Sequence, residues 1–121
     1  MKKADPISTE IIRNAFISIA QDMNAVLIRS AYTPVIYEGK DCVVALLDEK
    51  GEVLGQSSGL PLFLGNLQVC VQETAKMYGW DYFKEGDIFF VNDSFFTGTH
   101  LNDITIFAPI FWNGKLAGFS A

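Results

Sequence analysis

The sequence predicts an α+β fold: a long N-terminal helix, β-hairpins and a second helix, together forming part of a larger mixed α/β domain. Three observations carry that expectation. Residues 7–31 repeat apolar side chains at helical spacing. Residues 42–56 and 104–120 each hold two β-rich runs around a turn. Residues 66–78 then return to helical spacing.

In the first helix Ile12, Ala15, Ile19, Met23, Val26 and Ser30 recur at steps of three and four, the spacing that keeps one face apolar. Arg13, Asp22 and Arg29 fall mostly on the polar side. Asp5-Pro6 or Ser8 suits its start, because a side-chain oxygen caps free amides and proline fits the first turn. Tyr32-Thr33-Pro34 should end it, since the residue before a proline avoids helical angles.

Cys42 to Leu47 reads as a strand, Asp48 to Gly51 as a turn and Glu52 to Gln56 as the returning strand. Ser57 to Pro61 reads as a loop. In the second helix Leu67, Val71, Ala75 and Tyr78 share a face, and Gly79 is placed to stop it. A strand at Ile88 to Val91 leads into a polar loop, 92–102. A strand at Ile104 to Ile110, a turn at Asn113-Gly114 and a strand at Leu116 to Ser120 complete the pattern. Ala121 falls inside a strand-like run, so the sequence reads as truncated there, with a final strand whose edge is unpaired.

The 121 residues suit one domain, and a 50% hydrophobic content with ten Phe implies a packed core. The net charge is −5 and the basic residues are scattered, so no nucleic-acid surface is expected. No run approaches the length of a membrane span, and Lys2-Lys3 is not followed by the apolar stretch of a signal peptide. A cytoplasmic location follows as an expectation. Cys42 and Cys70 form no Cys-x-x-Cys pair and read as buried, reduced thiols.

The chemistry concentrates in the loop 92–103. It carries the single histidine, His100, three residues before Asp103 and seven after Asp93. An imidazole with one or two carboxylates suits a divalent Mn, Zn or Fe ion. The competing reading is that these aspartates only close turns. A second polar cluster, Arg29, Tyr32, Glu38, Lys40 and Asp41, offers Glu38 or Asp41 as an acid or base if buried. The alternative there is a solvated loop pairing its own charges. The glycines form no phosphate-binding pattern, and the lone histidine has no nucleophile beside it.

Taken in order, the motifs resemble the opening of hydantoinase B proteins. Those motifs are Asp5-Pro6-Ile7 with Ile12 to Ala15, Arg29 to Pro34, Gln56 to Pro61 with Phe63-Leu64-Gly65, Gly86-Asp87, Asn92-Asp93 and Gly98 to Asp103. The resemblance runs in one register from Asp5 to Ala121 and covers an N-terminal portion of much longer proteins. It implies a subunit that opens a hydantoin- or 5-oxoproline-type cyclic amide, working with an A-type subunit or domain that binds ATP. It also implies His100 and Asp103 as metal ligands, with a further histidine of the family pattern falling past Ala121. In the full-length protein, Asp93 or a residue of the Glu38 to Asp41 loop is the candidate to move protons. The same resemblance leaves open a ketone carboxylase subunit or a non-catalytic assembly module. Gly59-Leu60-Pro61-Leu62-Phe63 departs from the His-x-Pro-x-His of many relatives, Ser94 stands where many have proline, and Glu38-Gly39-Lys40-Asp41 replaces a more arginine-rich stretch.

Overall fold

The computed structural model describes residues 5–59, 63, 65–97 and 100–121. The readings above that fall on Lys2-Lys3, Leu60 to Leu62, Leu64 and Gly98-Thr99 lie outside the described residues.

Helix α1 spans Pro6–Ser30 and is capped by Asp5, the first of the two starts the sequence offered. The Asp5 carboxylate accepts the Ser8 amide at 3.0 Å and the Ser8 hydroxyl at 2.8 Å, which satisfies an otherwise orphaned donor. These bonds hold the Asp5 carboxyl below its ordinary range, the Ser8 amide contributing most. Pro34 ends the linker after α1 and also opens a further single turn, α2 (Pro34–Tyr37).

Five strands form one antiparallel sheet: β1 (Ala45–Asp48), β2 (Val53–Gln56), β3 (Phe89–Val91), β4 (Thr105–Trp112) and β5 (Lys115–Ser120). Their order is β2-β1-β5-β4-β3. The expected unpaired edge on the last strand is therefore corrected. β5 lies inside the sheet between β1 and β4, and Ala121 exchanges two backbone hydrogen bonds with Ala45, at 2.9 and 3.0 Å. Both expected hairpins form. The first turn is closed by the Asp48 carboxylate, which accepts the Lys50 and Glu52 amides. At the second, Asn113 and Gly114 take positive φ, as a two-residue turn requires.

β1 is shorter than the strand expected from Cys42 onward. Its partner β2 ends at Gln56, and Ser57 finishes the pairing with a side chain: its hydroxyl accepts the Val44 amide while its own amide donates to Val44 O. β3 pairs only with the Thr105–Phe107 part of β4. Pro109 thus sits beyond the end of β3, where a missing N–H is tolerated.

The core lies on one face of the sheet, under α3 (Asn66–Tyr78). Leu67, Cys70, Val71 and Ala75 of α3 meet Ala45, Leu47, Phe107 and Phe119 of the strands. Phe83, beyond a 3-10 turn at Trp80–Tyr82, inserts beside them. Its ring stands edge-on to Phe89 and Phe119 at 5.1 and 4.9 Å, and Phe89 stacks on Phe107 at 4.9 Å. Tyr78 departs from the expected core face. It is exposed and stacks on Tyr82, because Gly79 ends the helix and turns the chain at that point.

The apolar face of α1 read from the sequence is not the one that packs on the sheet within this segment. Ile12, Ile19 and Val26 are exposed, whereas Ala20 is fully buried. The helix is apolar on more than one side, so spacing alone did not select the side that packs. Glycine selects it: a Cβ at Gly55 on β2 would lie 2.7 Å from the backbone of Phe16, so α1 and β2 touch main chain to main chain there. Both cysteines are free. Cys70 is buried, and Cys42 is only half-buried, with Asn24 beside its thiol at 3.7 Å.

Replacing Gly55 by Ala in the intact protein should lower stability by about 1–3 kcal/mol through overpacking against Phe16. Chemical denaturation reads this as a lower midpoint at unchanged slope; an unchanged midpoint would mean that α1 does not rest on β2.

Candidate functional site

The loop 92–103 leaves the end of β3 and returns at the start of β4. Its ends are fixed by the Val91↔Thr105 pairing, so the segment is held at one end of the sheet. Within it, three side chains organise the backbone. The Asp93 carboxylate accepts the Phe95 amide at 2.9 Å and the Phe96 amide at 3.3 Å, and its carbonyl accepts those of Phe96 and Thr97. This is an Asx-type turn. Asn92 reaches across to the returning limb and donates through Nδ2 to the carbonyls of Asp103 at 2.6 Å and Leu101 at 3.4 Å.

The third is Asp103. Its Oδ2 accepts the backbone amide of His100 at 2.8 Å, and the Asp103 amide donates back to the His100 carbonyl at 3.2 Å. This reciprocal closure brings the two side chains together, with His100 Nδ1 3.5 Å from Asp103 Oδ2. The imidazole is 62% exposed and the carboxylate 23% exposed. The structure thus brings together the two residues expected as a metal-binding pair, with one nitrogen and one oxygen donor facing each other. Among the described residues, no group of three or more His, Cys, Asp and Glu is placed to hold a metal ion.

Below the loop, Thr97 is buried and shares the Cys70 thiol of α3 with Thr105. Burial pushes that thiol up, and the two hydroxyls work against the shift. Glu38 and Asp41 stand apart. Both are exposed, near the end of α2, and no hydrogen bond or ion pair among the described residues ties them to the loop. The cluster around them is solvated as the plainer reading held, without the expected internal ion pairs; Tyr32 is fully exposed.

Asn92 is the loop residue that sequence reasoning left without a role. The available signal was its position: an amide side chain directly after a strand, at the mouth of a long loop, is suited to cross-loop bonds.

The Hydantoinase B/oxoprolinase family profile matches residues 5–121, essentially the whole chain in one register. The chain belongs to the hydantoinase B/oxoprolinase family. An uncharacterized protein of Methanocaldococcus jannaschii is 36% identical over 124 residues, covering 97% of this chain and 21% of its own length. The 5-oxoprolinase of Dictyostelium discoideum is 29% identical over 117 residues, 97% of this chain and 9% of that protein. The caprolactamase subunit beta of Pseudomonas jessenii is 29% identical over 116 residues, 96% of this chain and 20% of that subunit. The crystal structure of that ATP-dependent caprolactamase matches with a TM-score of 0.78 at 26% identity, over 98% of this chain and 20% of the other. Nucleotide-free acetone carboxylase matches with a TM-score of 0.84 at 24% identity, over 98% of this chain and 16% of the other, a likeness of fold. This hydantoinase B-type segment thus spans about a fifth or less of the proteins it matches. Among the described residues, no helix is long and apolar enough to cross a membrane.

Asn92→Ala should open the loop without unfolding the sheet. Two lost side-chain bonds at about 1 kcal/mol each predict roughly ten-fold or greater faster hydrogen exchange at the His100 and Asp103 amides. Exchange in α3 should not change; equal acceleration there would show that Asn92 supports the whole fold rather than the loop.

Proposed function

We propose that the full-length protein is the B-type component of an ATP-dependent hydrolase that opens a hydantoin- or 5-oxoproline-type cyclic amide. ATP binds to an A-type partner subunit or domain. The observation that carries this reading is the joining of His100 and Asp103 by loop closure, inside a chain that matches the family from residue 5 to 121. Two relatives bear names of that chemistry, a 5-oxoprolinase and an ATP-dependent caprolactamase. The designation of the caprolactamase relative as a subunit beta supports a partner for this protein as well.

The donor set fits a divalent Mn, Zn or Fe ion: one imidazole nitrogen and one carboxylate oxygen, 3.5 Å apart. His100 and Asp103 would hold it, with the remaining ligands supplied from outside this segment. When bound, such an ion supplies Lewis acidity that polarises a carbonyl or an activated water.

The protein's own part is positional. The His100 amide fixes one carboxylate oxygen of Asp103, and Asn92 fixes the Asp103 carbonyl, so the pair is presented with little freedom. Asp93 spends one carboxylate oxygen on the Phe95 and Phe96 amides. That supports a role in shaping the loop ahead of the proton transfer expected of it. Glu38 and Asp41 are exposed within this segment.

The test is ATP-dependent ring opening of 5-oxoproline, hydantoin and caprolactam by the full-length protein with its partner. His100→Ala should lower kcat by on the order of 100-fold, the scale of losing a metal ligand or its support. Unchanged activity in that variant, or turnover that requires bicarbonate and adds a carboxyl group, would overturn the reading.

A further inference from the structure

The sheet has a second face. Along β4, Thr105, Phe107 and Pro109 are buried toward α3, whereas Ile106, Ile110 and Trp112 alternate to the other side and are exposed. α1 packs on that face mainly at β2, through Gly55. Between α1 and the uncovered half runs an open groove of about 750 Å³. Its walls are Ile19, Met23 and Val26 of α1 and Ile88, Ile104 and Ile106 around β3 and β4. Exposure of 47% at Ile19, 65% at Val26, 74% at Ile88 and 53% at Ile106 makes this one continuous aliphatic surface. Among the described residues, Asp22 is the single charged one in its lining.

We propose that this groove is a docking surface for the polypeptide that, in hydantoinase B-type chains, lies outside the matched segment. The occupant meets it with aliphatic side chains and sets a basic group against Asp22. Three observations favour that occupant. An apolar surface this continuous is rarely left to water. The match takes in nearly all of this segment but only 20% of the caprolactamase beta subunit and 21% of the archaeal relative, so most of each relative's chain lies beyond it. A second copy would oppose Asp22 with another aspartate on a chain already at net charge −5.

The groove also sets the reach of the loop, because Ile104 and Thr105 follow directly on Asp103. Docking there would carry the occupant to the side of the His100–Asp103 pair. The proposal does not depend on the reaction assigned to that pair.

Ile106→Cys in the intact full-length protein, with its partner subunit present, supplies a thiol in the groove, and Lys115→Cys supplies an exposed reference on β5. Covered, the groove thiol should react with iodoacetamide about 100-fold more slowly than the reference, independent of protein concentration. Reaction at the reference rate overturns the proposal, and protection that fades on dilution overturns it in favour of a second copy. Met23 needs no substitution: slow peroxide oxidation in the native protein relative to the denatured one agrees with cover, and equal rates overturn it.

Discussion

The structure depends on the seating of α3 and Phe83 on one face of the sheet. Phe83, Phe89, Phe107 and Phe119 converge from a loop and three strands, and their edge-on and stacked contacts at about 5 Å lock β3 onto β4. Burial of Phe83, Phe107 and Phe119, with Phe89 partly buried beside them, is worth several kcal/mol in total. Because β3 is only three residues long and pairs at three positions, this cluster rather than the ladder holds it in place. The loop that carries His100 and Asp103 is strung between those two strands. Its geometry is therefore set by the core beneath it, through Thr97, Thr105 and Cys70.

Local structure was legible where one residue type decides it. The bounds of α3 follow from its apolar spacing and from Gly79, and both hairpins follow from Asp48 to Gly51 and Asn113-Gly114. Pairing between distant strands was not legible. Nothing in the spacing of residues 115–120 says that they insert beside β1, because antiparallel partners are chosen by the whole sheet rather than by neighbours. The packed side of α1 was equally hidden. The helix carries apolar residues on more than one side, and the choice of face lies in a glycine some 40 residues away, where backbone contact rather than periodicity decides.

At the site, the division is similar. The pairing of His100 with Asp103 was visible from a spacing of three and from the collinear motif order, and the structure adds the reciprocal backbone bonds that enforce it. The turn-closing reading of the loop aspartates is met by both of them. Asp93 closes a turn, and Asp103 closes a turn in a way that also presents it to the imidazole. Residues 38–41 read from sequence as chemically promising only under burial, and within this segment they are exposed.

The account rests on His100 and Asp103 acting as one donor pair. Its most direct test is the metal content of the intact, partner-bound protein compared with that of Asp103→Asn. The substitution keeps an oxygen able to accept the His100 amide while removing the charge that favours a divalent ion. The account predicts about one tightly held transition-metal ion per native chain and a near-complete loss in the variant, with the loop otherwise folded. Full metal occupancy in Asp103→Asn would contradict it.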